Sequence, residues 1–145
     1  MCSSDLKKGI TCVAAPQNEK AFSVLEQQAS ILNVELIISD DGIPLKPKPS
    51  LSGKHQFENA CLAATSLKYL EGFNLSEENI KHGIEQTTWY GRNEILQKEP
   101  LVIFDVGHNE SGIRGFLNYF NSIDNSGISV LVLSLQRRKN IVNIV

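Results

Sequence analysis

"LVIFDVGHNESGI", residues 101–113, runs apolar for four positions and then stops on an acid, a glycine, a histidine and an amide. A run apolar on both faces is the pattern of a parallel strand covered from both sides. A polar stop at its carboxyl end is where open α/β sheets hold their ligands. Downstream, "NESGIRGFLNYFNSI" reads as a helix with Asn109 as its N-cap. "ISVLVLSL" follows as a second strand, and a further helix begins at "RRKNIVNIV". Strand, helix, strand in that order predicts the βαβ start of a doubly wound sheet.

Upstream of this unit the pattern changes near Thr87. "GITCVAA" is a short β-branched run closed by Pro16, and the segment after it places Phe22, Leu25, Ala29 and Leu32 at helical spacing. "VELIIS" is a second strand, and "DDGIPLKPKPSLSGK" is too rich in Pro, Gly, Asp and Ser for helix or central sheet. Phe57, Ala60, Cys61, Ala64 and Leu67 share one face of a helix from His55 to Leu70. In "LSEENIKHGIEQT", Ser76 is a helix N-cap with Asn79 three residues on, in the place where a capping box has Glu or Gln. A domain boundary is therefore expected at Thr87, giving units 1–87 and 88–145. Residues 1–6, "MCSSDL", resemble translated adaptor sequence and are set aside from the fold.

Composition narrows the function classes. A formal net charge of -2 gives no electrostatic case for nucleic acid or an anionic membrane surface. Three widely spaced cysteines with no CxxC pair read as reduced thiols, not as a disulfide framework or zinc site. No stretch approaches the roughly 20 apolar residues of a membrane helix, and the N-terminus lacks the apolar core of a signal peptide. A cytoplasmic protein is expected.

Four polar groups could carry chemistry. "GKHQFEN" puts Gln56 and Asn59 three apart at a helix start, where both amides can read the edge of a planar heterocycle or simply cap and brace the loop. It is no P-loop, since Lys48 stands where the first glycine would be and His55 follows Lys54. Arg92 in "WYGR" carries a permanent charged fork suited to phosphate oxygens, or is a solvated surface side chain. Asp105 and His108 flank Gly107, which lets backbone approach a ligand closely. Arg137, Arg138 and Lys139 read as a solvated face, His82 as exposed, and Asp40 and Asp41 as turn residues.

Taken in order, "LSGKHQFENACLAATSLKYL", "IEQTTWYGRNEIL" and "PLVIFDVGHNESG" strongly resemble folylpolyglutamate synthase and dihydrofolate synthase of the Mur ligase superfamily. There the pattern is G-x-H-Q-x-x-N-A, then W-P-G-R-x-E, then D-G-A-H-N-P. The resemblance implies an α/β fold: the end of a P-loop-type Mur ligase central domain followed by the start of a Rossmann-like C-terminal domain. It implies a ligase that uses ATP and Mg2+ to add L-glutamate to a folate through an acyl phosphate, from a monomeric parent. Gln56 and Asn59 match the adenine contacts. Arg92 and His108 match catalytic groups at the phosphates, and Asp105 and His108 match holders of the ribose or phosphate chain. Tyr90 replaces the family proline, Asn93 stands where an apolar residue is common, and Val106, Gly107 and Glu110 depart from the last motif. The P-loop, the metal ligands and most of the folate site would lie upstream, so an internal fragment, inactive alone, is expected. The competing readings are a peptidoglycan Mur ligase fragment and a non-catalytic nucleotide-binding protein.

Overall fold

The computed structural model describes residues 6–39, 48–123 and 127–135. Residues 1–5, the loop acids Asp40 and Asp41, and the Arg137, Arg138, Lys139 group with its expected helix lie outside the described residues. The chain is mixed α/β and divides into two compact units: Met1–Pro49 with Phe57–Gln86, and Ser50–Gln56 with Thr87–Val145.

The first unit begins with β1 (Cys12–Ala14), α1 (Glu19–Leu32) and β2 (Leu36–Ile38). β1 and β2 pair in parallel, with Cys12 opposite Leu36 and Ala14 opposite Ile38, so α1 is the crossover that parallel pairing demands. α1 starts where the Asn18 side chain accepts the Ala21 N–H at 2.9 Å and stops at Asn33 in the left-handed conformation, φ 52°. Of the four apolar positions at helical spacing, Leu25 and Ala29 are buried against Ala14, and Leu32 packs at the margin. Leu6, the last of the residues set aside, belongs to the same cluster at 8% exposure. An apolar side chain beside a β1 face is buried whatever the origin of its codon.

α2 (Lys54–Lys68) and α3 (Glu77–Gln86) pack through the face read from the sequence: Ala60, Cys61 and Ala64 are buried with Ile80 and Ile84, while Phe57 and Leu67 close the edges. Ala64 at 0% exposure lets the helices approach closely. At the start of α3 the Asn79 N–H donates to Ser76 Oγ at 3.1 Å and the Ser76 N–H donates to Asn79 Oδ1 at 3.3 Å, a reciprocal cap built with an amide.

The second unit departs from the expected βαβ order. β3 (Glu94–Lys98) and β4 (Leu101–Phe104) form an antiparallel hairpin, with Lys98 opposite Leu101 across a two-residue turn and an irregularity between Ile95 and Gln97. The run "LVIF" is thus not a parallel strand covered from both sides; Leu101, Val102 and Phe104 are 38%, 40% and 46% exposed. Pairing with the segment directly before it closes only a short loop, a smaller entropic cost than a crossover. Residues 128–135 do not form the second strand either: among the described residues no strand pairs with them, and Ile128, Val130 and Val132 are 98%, 81% and 88% exposed. A parallel strand needs a neighbour to take its backbone groups, and the strand partner of β4 among the described residues is β3. α4 (Glu110–Ser122) does follow β4, capped by Asn109, whose side chain accepts the Gly112 N–H at 2.8 Å.

Candidate functional site

Two turns of the second unit are hydrogen-bonded face to face, and they carry three of the five candidate residues. The first is the turn into β3. Gly91 sits at φ 70°, and a Cβ there would lie 2.5 Å from Val106 Cγ1, so glycine is required by both backbone and space. Its N–H donates to Glu94 Oε2 at 2.7 Å, and its carbonyl accepts the Val106 N–H at 2.9 Å. Arg92 follows. Its side chain is exposed, and it has no hydrogen bond or ion pair among the described residues.

The second turn follows β4. Asp105 is half-buried, and both carboxylate oxygens are engaged: Oδ2 accepts the Asn93 N–H at 2.9 Å and Oδ1 accepts the Gly107 N–H at 2.6 Å. The acid therefore joins the two turns as well as standing at the strand end. His108 is exposed, with Nδ1 3.2 Å from the Val106 carbonyl. A carbonyl only accepts, so Nδ1 donates this bond. A Cβ on Gly107 would lie 2.8 Å from Asp105 Oδ1 and 3.1 Å from the Gly112 carbonyl carbon. Gly107 and Gly112 let the turn lie against the first turn of α4, where the helix dipole favours an anion.

The residues before α2 also belong to this unit. Gln56 is 5% exposed; its Nε2 lies 3.0 Å from His55 Nε2 and, being a donor only, is accepted by the ring nitrogen. Asn59, one turn further along α2, is exposed and falls in the first unit. The two amides expected to read one heterocycle edge together therefore differ in burial. The His55 ring lies over α4, 3.3 Å from where a Gly115 Cβ would be. A cavity of ≈ 350 Å³ lies beside the Arg92 turn, lined by Ser52, Trp89, Arg92 and Asn93 among others.

Sequence reasoning overlooked Asn93 and His55 as parts of this arrangement. Asn93 is buried at φ 48° with its Nδ2 donating to the Ser52 carbonyl at 2.7 Å. An asparagine two positions after a turn glycine, where an apolar residue is usual, is the signal that could have found it. Among the described residues no group of three or more His, Cys, Asp or Glu side chains could hold a metal ion, and no helix is long and apolar enough to cross a membrane.

The mixed α/β fold aligns with part of solved folylpolyglutamate synthase structures. The described chain superposes on a solved folylpolyglutamate synthase in complex with AMPPCP and folate with a TM-score of 0.78 at 20% identity, covering 87% of this chain and 37% of that one. In sequence it is 27% identical over 157 residues to the dihydrofolate synthase/folylpolyglutamate synthase of Bacillus subtilis, covering 90% of this chain and 36% of the relative. The enzyme of the same description from Escherichia coli is 26% identical over 120 residues, covering 83% of this chain and 26% of the relative. No family model matches. The chain is a distant homologue of dihydrofolate synthase/folylpolyglutamate synthase over most of its length, and it spans about a third or less of these relatives.

Proposed function

We propose that the chain is the nucleotide-handling segment of an ATP-dependent ligase that joins L-glutamate to a folate. The observation that carries this reading is the pair of hydrogen-bonded turns, 91–93 and 105–107, which present an unpaired Arg92 and an outward His108 in a chain homologous to enzymes of that activity. In this reading residues 1–87 close a P-loop-type central domain and residues 88–145 open a Rossmann-like C-terminal domain.

The chemistry is transfer of the ATP γ-phosphoryl group to the folate carboxylate, then attack of the glutamate amine on the carbonyl carbon, with phosphate leaving and the amine losing a proton. This chain's residues supply charge and position. Arg92 neutralises phosphate oxygens with a planar fork that keeps its charge at any working pH. His108 holds the phosphate chain from the mouth of α4. Gln56 and Asn59 take the adenine side, with the buried Gln56 held by His55. Asp105 keeps the two turns in register and so fixes where Arg92 and His108 stand. Magnesium ligands are assigned to residues outside the described ones.

The test is to express the open reading frame in which these codons lie and to follow labelled glutamate into reduced folate with MgATP. A nucleotide-linked peptide acceptor serves as the comparison. Glutamylated folate formed only with ATP is the expected product. Product from the peptide acceptor alone would assign the chain to cell-wall ligation, and no product from either would sink the ligase reading. The 145-residue chain by itself is expected to bind MgATP weakly and to form no product.

A further inference from the structure

The Arg92 turn is held by a residue to which the glutamylation reading gives no task. Asn93 is 3% exposed and lies in the left-handed region, which asparagine and aspartate tolerate better than other side chains. It bonds in two directions. Its N–H donates to Asp105 Oδ2 at 2.9 Å, and its Nδ2 donates to the Ser52 carbonyl at 2.7 Å. One residue thus ties together three stretches that are far apart in the chain: the turn at 91–93, the turn at 105–107 and the loop that opens α2. Each of them bears or adjoins a candidate nucleotide contact, respectively Arg92, His108 and Gln56.

The opposite side of the contact is shaped to receive it. Gly53 lies at φ 112°, and a Cβ there would stand 2.9 Å from Asn93 Nδ2 and 2.9 Å from His55 Cε1. The amide orientation follows from its partner, because the reversed amide would set two acceptors against each other at 2.7 Å. Asn93 Oδ1 is then buried with no partner among the described residues. A buried acceptor left unmatched costs free energy, which the bond to the Ser52 carbonyl and the tolerance of asparagine for the left-handed region offset.

We infer that Asn93 is a positioning residue that locks the entry to α2 onto the Arg92 turn, and so sets Gln56 at a fixed distance from the group that holds the phosphates. The inference rests on the nucleotide reading of this site, and two variants separate them. Asn93→Asp keeps the backbone preference and loses the donor; Asn93→Gly keeps the left-handed turn and the N–H bond to Asp105 but has no side chain. Circular dichroism and exchange in α4, which belongs to the same unit as Asn93, report whether each variant keeps its fold.

In the 145-residue chain without nucleotide, hydrogen–deuterium exchange is expected to rise about fivefold to tenfold at the Gln56 amide in both variants, the scale of one lost hydrogen bond, with α4 unchanged. With millimolar MgATP, nuclear magnetic resonance of the wild-type chain is expected to shift signals of both Arg92 and Gln56. In Asn93→Gly the Arg92 shifts persist, the Gln56 shifts vanish and affinity falls about fivefold. Unchanged exchange at Gln56 would overturn the lock. Faster exchange with an unchanged MgATP footprint and affinity would reduce Asn93 to packing and overturn its positioning role. A wild-type chain that shows no MgATP shifts at either residue would overturn the nucleotide reading and the positioning role with it, while the exchange result still decides whether the lock exists.

Discussion

Removing the Arg92 guanidinium is the perturbation that separates a functional residue from a structural one most cleanly at this site. Arg92 is exposed and has no partner among the described residues, while the turn beneath it is held by neighbours: Gly91 bonds Val106 and Glu94, and Asn93 bonds Asp105 and Ser52. Arg92→Ala should therefore change stability by no more than about 0.5 kcal/mol, as for other surface substitutions that break no contact. Its effect on the active enzyme should be far larger. A charge-assisted contact to a phosphate in a site closed to water contributes on the order of 2 to 4 kcal/mol to transition-state stabilisation. At about 1.4 kcal/mol per decade, turnover should fall roughly 30-fold or more. The assay is kcat and the KM for ATP in the product of the complete reading frame, beside a thermal melt. Arg92→Lys should recover part of the loss, since the charge returns without the bidentate fork. Unchanged turnover and unchanged KM for ATP would refute the assignment, as would a large fall in melting temperature, which would make Arg92 a structural residue.

Gly91→Ala should destabilise the second unit by about 2 to 4 kcal/mol, combining left-handed strain with overpacking against Val106, and Val106→Ala should relieve only the steric part in a double variant followed by denaturant melts. Asp105→Asn leaves one oxygen to serve two N–H donors, so it should cost about 1.5 to 3 kcal/mol of stability and raise the KM for ATP more than that for folate; equal effects on both substrates would argue against a nucleotide site. Limited proteolysis should cut at residues 87–89, and full resistance there would count against a domain boundary at Thr87. Asn18→Ala should cost about 1 kcal/mol by removing the cap of α1, without altering MgATP shifts at Arg92.

The helices of this chain were legible because their information is local. The α2 face at Phe57, Ala60, Cys61, Ala64 and Leu67 repeats at helical spacing, and the caps at Asn18, Ser76 and Asn109 sit beside the residues they serve. The hairpin was hidden for the opposite reason. "EILQK" has no alternating apolar pattern, and its strand character comes from pairing with β4, which is a property of two segments together. The run "LVIF" announced a need for cover without saying what meets it.

The same distinction divides the site. Arg92, Asp105 and His108 stand as candidates because side-chain identity at a given spacing is written in the chain. What Asp105 touches is not, because its partners are the N–H groups of Asn93 and Gly107, and every residue other than proline carries one. Side-chain identity marks such contacts only indirectly, through the residues that must make room for them or bend the chain toward them. Here those marks are Gly53 and Gly91, each at positive φ with a neighbouring side-chain atom where a Cβ would go, and Asn93 in the left-handed region. All three stand inside or beside the motifs that carry the candidate contacts. The parts of "LSGKHQ" and "WYGRN" that hold no charge are thus the parts that decide where the charged ones stand.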